Sequence, residues 1–588
     1  MNKENNLVKK SMIKVFKENT GMVILLAFAV LGAVITSLIP PHILRYIIDN
    51  MLAQNSYNSN KNNKLLELAF AYMGVLLFIG VFEFLKEVIL TVLGQKITKE
   101  IRYEMMGKLE KINTLFFSSN GSGAIVSRFT NDVDAINSLF TDGIVGMMVD
   151  CLKIIGIIIS IWMFSSSLGV ITLLLLPIIY GITRSFQGRM LKAQINNRVL
   201  VGKVNNHISE SLKNIQMIKS YSKEYYMEKN YTNYLLDNYK TIEKVNFYDS
   251  IYSPIIQITR AIIIGFIVVL SSKDLNYLGI SPGMVAASIE LISNLFSPID
   301  SLGMELQNIQ QAISGIYRVN DFYNEPEDGI KDNSLLVEDI MKSDKDVMLA
   351  FNNVFFQYEE DDYVLKNINL DVKKNEKVAF IGRTGVGKTT LFKLVMGLIK
   401  PSSGSITING VDVYDIPNSK KREIFGYVDQ GISIINGTVA EQISLKDDSI
   451  KREDIENAVD FVGLTEYVES LENGLDTIVV HDSLFSQGQK QLLAIARAIV
   501  LNPPILLLDE ITANLDSITE ERIVSVLKKA SYSHTILSIS HRLSSMVVSD
   551  RVVILENGSI KNVGSPEELL EMDDWYKSHI ELEKLTWG

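Results

Sequence analysis

The stretch that decides the fold of the C-terminal half is GRTGVGKT, at Gly382–Thr389. It matches the phosphate-loop pattern G-x-x-x-x-G-K-[ST], in which glycines let backbone N–H groups close around phosphate oxygens at a helix N-terminus. The apolar run Val378–Ile381 before it predicts a buried strand, and the spacing of apolar residues in Thr390–Leu398 predicts a helix. Lys388 is expected to reach the β- and γ-phosphates, and the Thr389 hydroxyl to ligate Mg²⁺. The stretch therefore predicts a nucleotide site between a strand and a helix.

The composition changes along the 588-residue chain, which is too long for one ordinary domain. The apolar runs precede about residue 310, and strands alternate with helices after Val347. We therefore predict an all-α transmembrane domain at 1–323, a linker at 324–345 and an α/β nucleotide-binding domain at 346–588. The net charge of −11 gives no indication of a nucleic-acid partner. The single cysteine, Cys151, excludes an intrachain disulfide and a cysteine-based metal cluster.

Six hydrophobic segments in the N-terminal half approach or exceed the ~20 residues needed to cross a bilayer. They are Gly21–Leu38, Leu65–Gly94, Gly143–Phe164, Leu168–Phe186, Tyr248–Leu270 and Pro282–Leu302. Short loops nearly free of basic residues alternate with two long loops rich in Lys and Arg, at Gln95–Leu139 and Gln187–Asn246. By the positive-inside rule, the N-terminus, both long loops and the C-terminal half are expected to be cytoplasmic.

Ionisable residues inside these segments are candidates for a transport pathway, because charges at membrane depth cost free energy unless they are paired or hydrated. Arg260 and Glu290 lie at the same predicted depth, so we expect them to face each other or a shared cavity. Asp150 and Lys153 in the third segment are further candidates, and so is Glu83 in the second. Interhelical ion pairs that only fix packing are the alternative. For Glu83, a solvated position near the cytoplasmic boundary is favoured.

Further motifs follow the phosphate loop in order. Tyr358 could stack on adenine, and Gln430 could complete a Mg²⁺ shell or position water. Asp509 and Glu510 end a predicted buried strand, where Asp509 could hold Mg²⁺ through water and Glu510 could polarise the attacking water. His541 could contact the γ-phosphate. A single histidine is more often structural, but here it completes an ordered set of motifs.

The sequence FSQGQKQ at Phe485–Gln491 forms a turn of small residues before a predicted helix, which is a second anion site. This turn and the phosphate loop open different helices of the same domain. The turn is therefore not expected to reach the phosphate loop of its own chain. A second chain facing the first would bring it to the γ-phosphate, so the sequence predicts a dimer.

Together these motifs resemble half-transporters of the ATP-binding cassette (ABC) exporter family, and the resemblance covers essentially the whole chain. The nucleotide-binding residues that it implies are Tyr358, Gly382, Arg383, Thr384, Gly385, Val386, Gly387, Lys388, Thr389, Thr390, Ser486, Gly488, Gln489 and Asp516. The implied catalytic residues are Glu510, His541 and Gln430, and the implied Mg²⁺ ligands are Thr389, Gln430 and Asp509. The resemblance also implies two cytoplasmic coupling helices, near Phe116–Gly123 and Leu212–Tyr221.

The resemblance implies ATP-driven export of a small amphipathic or drug-like substrate across the plasma membrane, with membrane lipid around a dimer. Lipid translocation, or an ATP-gated channel or sensor subunit, are the alternatives. The chain departs from the family's LSGGQ signature at Gln487, and Val479–Leu484 lacks the family's acidic-Arg-Gly stretch. A complete hydrolytic set beside an altered signature resembles one subunit of a heterodimer, which we favour over a homodimer.

Overall fold

The computed structural model describes residues 6–52, 59–273, 281–328, 337, 340, 346–359, 362–431, 433–479, 484–512, 515–540 and 549–586. The chain forms two compact units. The first holds the residues up to Ile112 together with Asn120–Pro326, and the second holds Asn113–Ser119 and the residues from Glu327 onward. The division at Pro326 falls within the linker that the sequence predicts at 324–345.

Helices make up most of the described residues before residue 325. In chain order they are α1 (Leu7–Glu18), α2 (Thr20–Ile47), α3 (Ser59–Leu109), α4 (Thr114–Ser119), α5 (Ser122–Ser127), α6 (Val133–Ser138), α7 (Met147–Phe164), α8 (Ser166–Lys213), α9 (Ile215–Ser220), α10 (Glu224–Lys273) and α11 (Pro282–Asn324). Three π-helical segments join or extend them, at Ile48–Leu52, Arg128–Asp132 and Leu139–Gly146. The short helix α4 overlaps the first predicted coupling segment, and α9 lies within the second. Leu115 of α4 packs against the hydrophobic core of the second unit, to which this segment belongs.

Five helical stretches among the described residues are long and apolar enough to cross a membrane. They are Thr20–Leu52, Asn63–Leu109, Ser122–Phe164, Ser166–Lys213 and Glu224–Val269, and they match the first five predicted spans. The sixth predicted span lies in α11, which is not among these five, because Glu290, Asn294 and Asp300 interrupt its apolar run. This span stays a prediction.

The apolar side of α11 is the centre of a buried cluster in the first unit. Leu291 and Leu295 of α11 pack with Ile157 and Ile161 of α7 and with Ile267 of α10. In this unit α11 therefore contacts other helices along the length of the predicted span.

The second unit is α/β. Its strands are β1 (Val347–Gln357), β2 (Tyr363–Lys373), β3 (Lys377–Ile381), β4 (Ser403–Ile408), β5 (Val411–Asp412), β6 (Phe425–Val428), β7 (Gly437–Thr438), β8 (Ile478–Val479), β9 (Ile505–Asp509), β10 (Thr535–Ile539), β11 (Arg551–Glu556) and β12 (Ser559–Gly564). Its remaining α-helices are α12 (Lys388–Val395), α13 (Asn418–Ile424), α14 (Val439–Ser444), α15 (Arg452–Phe461), α16 (Thr465–Glu469), α17 (Gln487–Ile499), α18 (Ser517–Ala530), α19 (Pro566–Met572) and α20 (Asp574–Thr586), and Gly474–Asp476 is a 3₁₀ turn.

A six-stranded sheet of order β12-β11-β3-β10-β9-β6 positions the nucleotide-binding motifs. All neighbouring pairs in it are parallel except β11 with β12. Strands β3, β9 and β10 are almost entirely buried and apolar, as expected for parallel strands covered on both faces. The carboxyl ends of β3, β9 and β6 lie at one edge, where the phosphate loop follows β3, Asp509 ends β9 and Gln430 lies two residues after β6.

An antiparallel sheet of order β2-β1-β4-β5 lies beside this sheet in the second unit, and β7 pairs with β8. Strand β3 begins one residue before the predicted strand Val378–Ile381. Helix α12 ends at Val395, three residues before the predicted end. The reason is local, because Gly397 has a left-handed φ of +59° and stops the helix.

Candidate functional site

The phosphate loop between β3 and α12 depends on glycines that no other residue could replace without strain. Gly382 has a φ of +148°, and a Cβ there would clash with the carbonyl oxygen of Leu555 on β11. Gly387 has a φ of +103°, and its Cβ would lie 2.8 Å from Cδ2 of Leu365. Both positions combine a left-handed backbone with a close approach by neighbouring atoms, so glycine is required at each.

Lys388 lies at the start of α12 with its ammonium folded back onto the loop. Its side chain is 6% exposed, and Nζ donates to the carbonyl oxygens of Gly382 at 2.8 Å and Arg383 at 3.2 Å. Burial lowers the pKa of the Lys388 ammonium, while the nearby carboxylates of Glu510 and Asp509 act in the opposite direction. A buried cation at the N-terminus of a helix fits a phosphate group.

Asp509 ends β9 and is 4% exposed. Burial raises the pKa of its carboxyl to about 6, and a hydrogen bond from the Thr389 hydroxyl and the charge of Lys388 partly oppose this. A carboxylate beside a hydroxyl supplies the hard oxygen ligands that Mg²⁺ prefers. Within the described part of the chain, no group of three His, Cys, Asp or Glu side chains could hold a metal alone. Phosphate oxygens and water would have to complete a Mg²⁺ shell here.

Glu510 is held in an unusual backbone conformation next to Gln430. Its φ is +47°, and its N–H donates to the carbonyl oxygen of Ile539 on β10 at 3.0 Å. A left-handed residue other than glycine costs about 1–3 kcal/mol and persists only where its surroundings enforce it. Nε2 of Gln430 donates to Oε2 of Glu510 at 2.7 Å. The structure therefore brings these two predicted site residues together at the sheet edge.

Tyr358 follows β1 and lies beside the start of α12. Its hydroxyl is 3.1 Å from Oγ1 of Thr390, and its ring meets Phe356 edge-on at 4.9 Å between centroids. The side chain is 45% exposed, which leaves the ring accessible for stacking. The tyrosine is thus attached to the same helix that the phosphate loop opens.

A cavity of about 490 Å³ borders the loop residues Arg383, Thr384, Gly385 and Val386. Lining residues that the sequence reasoning missed include Tyr363, Lys366, Asn557, Lys561 and Trp575. They come from β2, from the β11–β12 hairpin and from α20, and no motif marks them. The N–H of Lys366 donates to the carbonyl of Gly558 at 2.7 Å, which fixes the hairpin against β2. These lining residues are far apart in the sequence, so only the tertiary structure shows that they border one cavity.

The signature residues occupy a different part of the second unit. Ser486 caps α17: its hydroxyl accepts from the N–H of Gln489 at 3.3 Å, and its own N–H donates to Oε1 of Gln489 at 2.8 Å. Asp516 caps α18 and accepts from the N–H of Thr519 at 3.0 Å. Gly488 is buried against Thr519. No hydrogen bond among the described residues links Ser486, Gln489 or Asp516 to the phosphate loop, and His541 lies outside the described residues.

In the first unit, two of the predicted pathway residues form a contact between helices. Nζ of Lys153 on α7 lies 3.4 Å from Oε1 of Glu83 on α3, and Lys86 lies 3.8 Å from the same carboxylate. Asp150 is half-buried on α7, within range of the charge of Lys153. These contacts match the packing alternative for Glu83 and Lys153, and Glu83 is paired rather than only solvated.

Arg260 and Glu290 do not face each other within the chain, contrary to the first form of our expectation. Arg260 is exposed on α10, beside the exposed Ile258 and Ile262, whereas Ile263 and Ile267 face the core. Oε2 of Glu290 has no hydrogen-bond partner among the described residues. Hydropathy gives the depth of a residue in a span but not its direction around the helix axis, which explains the error. The other form of the expectation, a shared cavity, stays a prediction.

Comparisons with known proteins agree with this architecture. A family model described as "ABC transporter transmembrane region" matches residues 22–299, and another described as "ABC transporter" matches residues 365–513. The chain is 27% identical over 565 residues to YgaD of Bacillus subtilis (strain 168), whose name describes a multidrug export ATP-binding/permease protein; this covers 93% of the chain and 94% of YgaD. It is 28% identical over 513 residues to an ATP-dependent lipid A-core flippase of Syntrophus aciditrophicus (strain SB), covering 85% of the chain and 83% of the flippase.

Among solved structures, a bacterial Atm1-family ABC exporter with ATP bound has the same fold. The TM-score is 0.77 at 23% identity, covering 95% of this chain and 97% of that chain. The two family matches lie one behind the other, with the helical part first and the phosphate-loop part second. The chain therefore belongs to the ATP-binding cassette transporters and is a half-transporter of the type IV exporter fold, an ATP hydrolase coupled to transport.

Proposed function

We propose that this half-transporter exports a small amphipathic or drug-like substrate across the cytoplasmic membrane by alternating access in a dimer. ABC exporters act as dimers, and the N-terminus and nucleotide-binding domain of this chain would be cytoplasmic. The observation that carries the proposal is the edge of the parallel sheet, where Lys388, Asp509, Glu510 and Gln430 meet. A complete hydrolytic set favours a pump over a channel or a sensor subunit.

The side chains at this edge suit separate parts of ATP hydrolysis. Lys388 and the backbone N–H groups of the phosphate loop would hold the phosphates, and the Tyr358 ring would stack on the base. Thr389 and Asp509, with Gln430, would hold Mg²⁺, which when bound neutralises charge on the phosphate oxygens. Glu510 would orient the attacking water and accept its proton, while the Gln430 amide and the left-handed backbone position the Glu510 carboxylate. We propose that His541 contacts the γ-phosphate, as its place in the motif order indicates.

A second chain would complete each site through Ser486, Gly488, Gln489 and Asp516. In its own chain the side chains of Ser486 and Gln489 are engaged in a capping box, and the N-terminus of α17 remains an anion site. Gln487 alters the signature without removing this cap. We propose that the partner is a different half-transporter, because an altered signature beside an intact hydrolytic set suits an asymmetric pair.

The first test is the ATPase activity of this chain purified alone in lipid. Glu510→Gln is the blank, and Glu453→Gln, an exposed carboxylate in the first turn of α15, is the matched control. The heterodimer proposal expects activity at the level of the blank until the native partner is added. Robust activity of the chain alone, lost in Glu510→Gln and kept in Glu453→Gln, would show a competent homodimer.

The second test distinguishes export from the alternatives. Inverted membrane vesicles containing the transporter should accumulate a fluorescent amphiphile with ATP but not with a non-hydrolysable analogue. Accumulation with the analogue, or leak in both directions, would contradict the pump. Lipid translocation is the second candidate, because relatives of comparable identity include lipid A-core flippases. A fluorescent phospholipid in the same vesicles tests it, and ATP-dependent movement of this lipid alone would favour translocation.

A further inference from the structure

The residue between β6 and Gln430 is Asp429, whose side chain bonds to the chain on both sides of it. One oxygen, Oδ1, accepts from the hydroxyl of Tyr427 at 3.1 Å and from the main-chain N–H of Gln430 at 2.9 Å. Tyr427 lies in β6 two residues earlier, which is the spacing that places side chains on the same side of an extended chain. A single carboxylate oxygen thus joins the end of the strand to Gln430.

Tyr427 is anchored in the interior of the second unit. Its side chain is partly buried and packs against the hydrophobic core that contains Leu507 of β9, the residue paired with Tyr427 across the two parallel strands. Burial raises the pKa of the Tyr427 hydroxyl, and the charges of Asp429 and Asp509 act in the same direction. The hydroxyl therefore stays protonated and remains a hydrogen-bond donor to Asp429.

Gln430 depends on Asp429 for the placement of its main chain. Gln430 is exposed and lies outside β6, and no described residue other than Asp429 accepts a hydrogen bond from its main-chain N–H. Its side chain nevertheless donates to Oε2 of Glu510 at 2.7 Å, a residue 80 positions later in the chain. Ordering an exposed side chain for such a contact costs conformational entropy. A main chain that is already fixed lowers this cost.

The other end of this contact is placed by a different strand. Glu510 has a left-handed φ of +47°, and its N–H donates to the carbonyl oxygen of Ile539 on β10 at 3.0 Å. The two partners are therefore positioned independently, Glu510 through β10 and Gln430 through Asp429 and β6. Loss of either support would leave the 2.7 Å hydrogen bond formed for only part of the time.

The charge of Asp429 is a separate property from its hydrogen bonds. Burial raises the pKa of the Asp509 carboxyl, and the charges of Glu510 and Asp429 add to this. A direct electrostatic effect on the Mg²⁺ site is therefore the alternative to a positioning role. The substitution Asp429→Asn separates the two, because it keeps an acceptor oxygen and removes the charge.

We propose that Asp429 is a positioning residue for ATP hydrolysis, which holds the main chain of Gln430 so that the Gln430 amide stays on Glu510. The inference rests on the proposed roles of Gln430 and Glu510 in hydrolysis. Asp429 acts through Gln430 and not on the reacting groups directly. Its loss slows hydrolysis but leaves nucleotide binding intact, because the phosphate loop and Tyr358 belong to other elements of the unit.

Steady-state ATPase kinetics of the purified transporter in lipid at saturating Mg²⁺ test the proposal, with the native partner present where the chain requires one. We expect Asp429→Ala to lower kcat about tenfold and to change the affinity for a fluorescent ATP analogue less than about twofold. Asp429→Asn should recover most of the lost kcat, and Tyr427→Phe, which removes one of the two hydrogen bonds, should give an intermediate loss. Asp412→Ala is the matched control and should change neither quantity, because Asp412 on β5 accepts a similar 2.8 Å bond from the N–H of Tyr414.

A double-mutant cycle shows whether Asp429 acts through Gln430. Effects of two residues that act through one contact are not additive, so adding Asp429→Ala to Gln430→Ala should lower kcat by less than about a further twofold. Additive losses would overturn the inference. An unchanged kcat in Asp429→Ala would overturn it as well, and so would an equal loss of kcat and affinity, which would indicate a structural role.

The conservative variant decides between position and charge. A kcat in Asp429→Asn as low as in Asp429→Ala would overturn the positioning role in favour of the charge. Failure of the proposed hydrolytic roles is a different outcome, in which Glu510→Gln or Gln430→Ala hydrolyses ATP at the wild-type rate. That outcome would overturn those roles and this inference with them, whereas slow hydrolysis by both of those variants beside a wild-type rate in Asp429→Ala would overturn this inference alone.

Discussion

The buried carboxyl of Asp509 makes nucleotide binding with Mg²⁺ depend on pH in a range where an ordinary aspartate does not titrate. Its pKa is raised to about 6 because it is buried at the end of β9. Only the ionised carboxylate is a good Mg²⁺ ligand, so binding is favoured above this pKa and is lost as the pH falls through it. An aspartate with the ordinary pKa of about 3.9 would remain ionised throughout this range.

The magnitude follows from the pKa. At about pH 7.5 nearly all Asp509 carboxyls are ionised, whereas at about pH 5.5 only about a quarter are, given a pKa of about 6. If binding needs the ionised form, the apparent Mg²⁺ affinity falls by about fourfold between these two values, or roughly 0.8 kcal/mol. The charge of Lys388 and the Thr389 hydrogen bond are already included in this raised pKa.

The assay is a Mg²⁺ titration of fluorescent ATP-analogue binding in the Glu510→Gln background, in which hydrolysis does not interfere. Asp509→Asn is the control: its overall affinity should be weaker, and the step near pH 6 should disappear. Steps from other groups, His541 included, would persist in that control and can be subtracted. An Mg²⁺ affinity that does not change between the two pH values would refute the reasoning, as would an equal step in Asp509→Asn.

Three further predictions concern positions where the structure gives a specific contact. Gly382→Ala should weaken ATP binding at least about tenfold, because its Cβ would clash with the carbonyl oxygen of Leu555 at a left-handed φ. Gly385→Ala is the control in the same binding assay and should have a smaller effect, because its Cβ would meet no atom within 4 Å. Equal effects of the two variants would contradict this prediction. Gln430→Ala removes the 2.7 Å hydrogen bond to Glu510 and should lower the steady-state ATPase rate by about tenfold or more. The affinity for nucleotide should change little. A lower affinity with an unchanged rate would contradict this prediction. Arg318→Ala leaves the buried Asp132 without its bonds of 2.8 and 2.5 Å and should cost about 2–3 kcal/mol in denaturant unfolding in detergent, less than for a fully buried pair because Arg318 is half exposed. Arg102→Ala, its control, loses the exposed partner Asp134 and a hydrogen bond of 3.0 Å to the carbonyl oxygen of Phe129. It should cost about 1 kcal/mol, and similar costs for the two variants would contradict the role of burial.

The nucleotide motifs could be located from the sequence because each is a short run with its own chemistry. The phosphate loop needs glycine at Gly382 and Gly387 because of its own left-handed backbone and the atoms packed closest to it. The sequence pattern therefore predicts the conformation of the loop. The pairing of Gln430 with Glu510 is different. These residues are eighty positions apart, and the order β10-β9-β6 brings them within 2.7 Å. No local pattern contains that order.

The charged residues of the first unit also show that sequence patterns do not predict contacts between distant parts of the chain. Hydropathy places Arg260 and Glu290 at one depth, but the packing of Ile263 and Ile267 turns Arg260 to the exposed side of α10. Glu305 lies just beyond the predicted sixth span, so its position in the sequence did not indicate that its side chain is buried. Its burial over Gly146 and its proximity to Asp142 and Asp150 exist only once α11 packs against the π-helical segment before α7.

The sequence by itself therefore determined the two-domain order, five of the spans, the phosphate loop and the set of residues that we propose for ATP hydrolysis. These follow from the length of apolar runs and from motifs whose atoms are neighbours along the chain. Only the tertiary structure decided which charges pair and which strands form the cavity beside the loop. Those properties depend on helix rotation and strand order, which arise from packing between residues far apart in the chain.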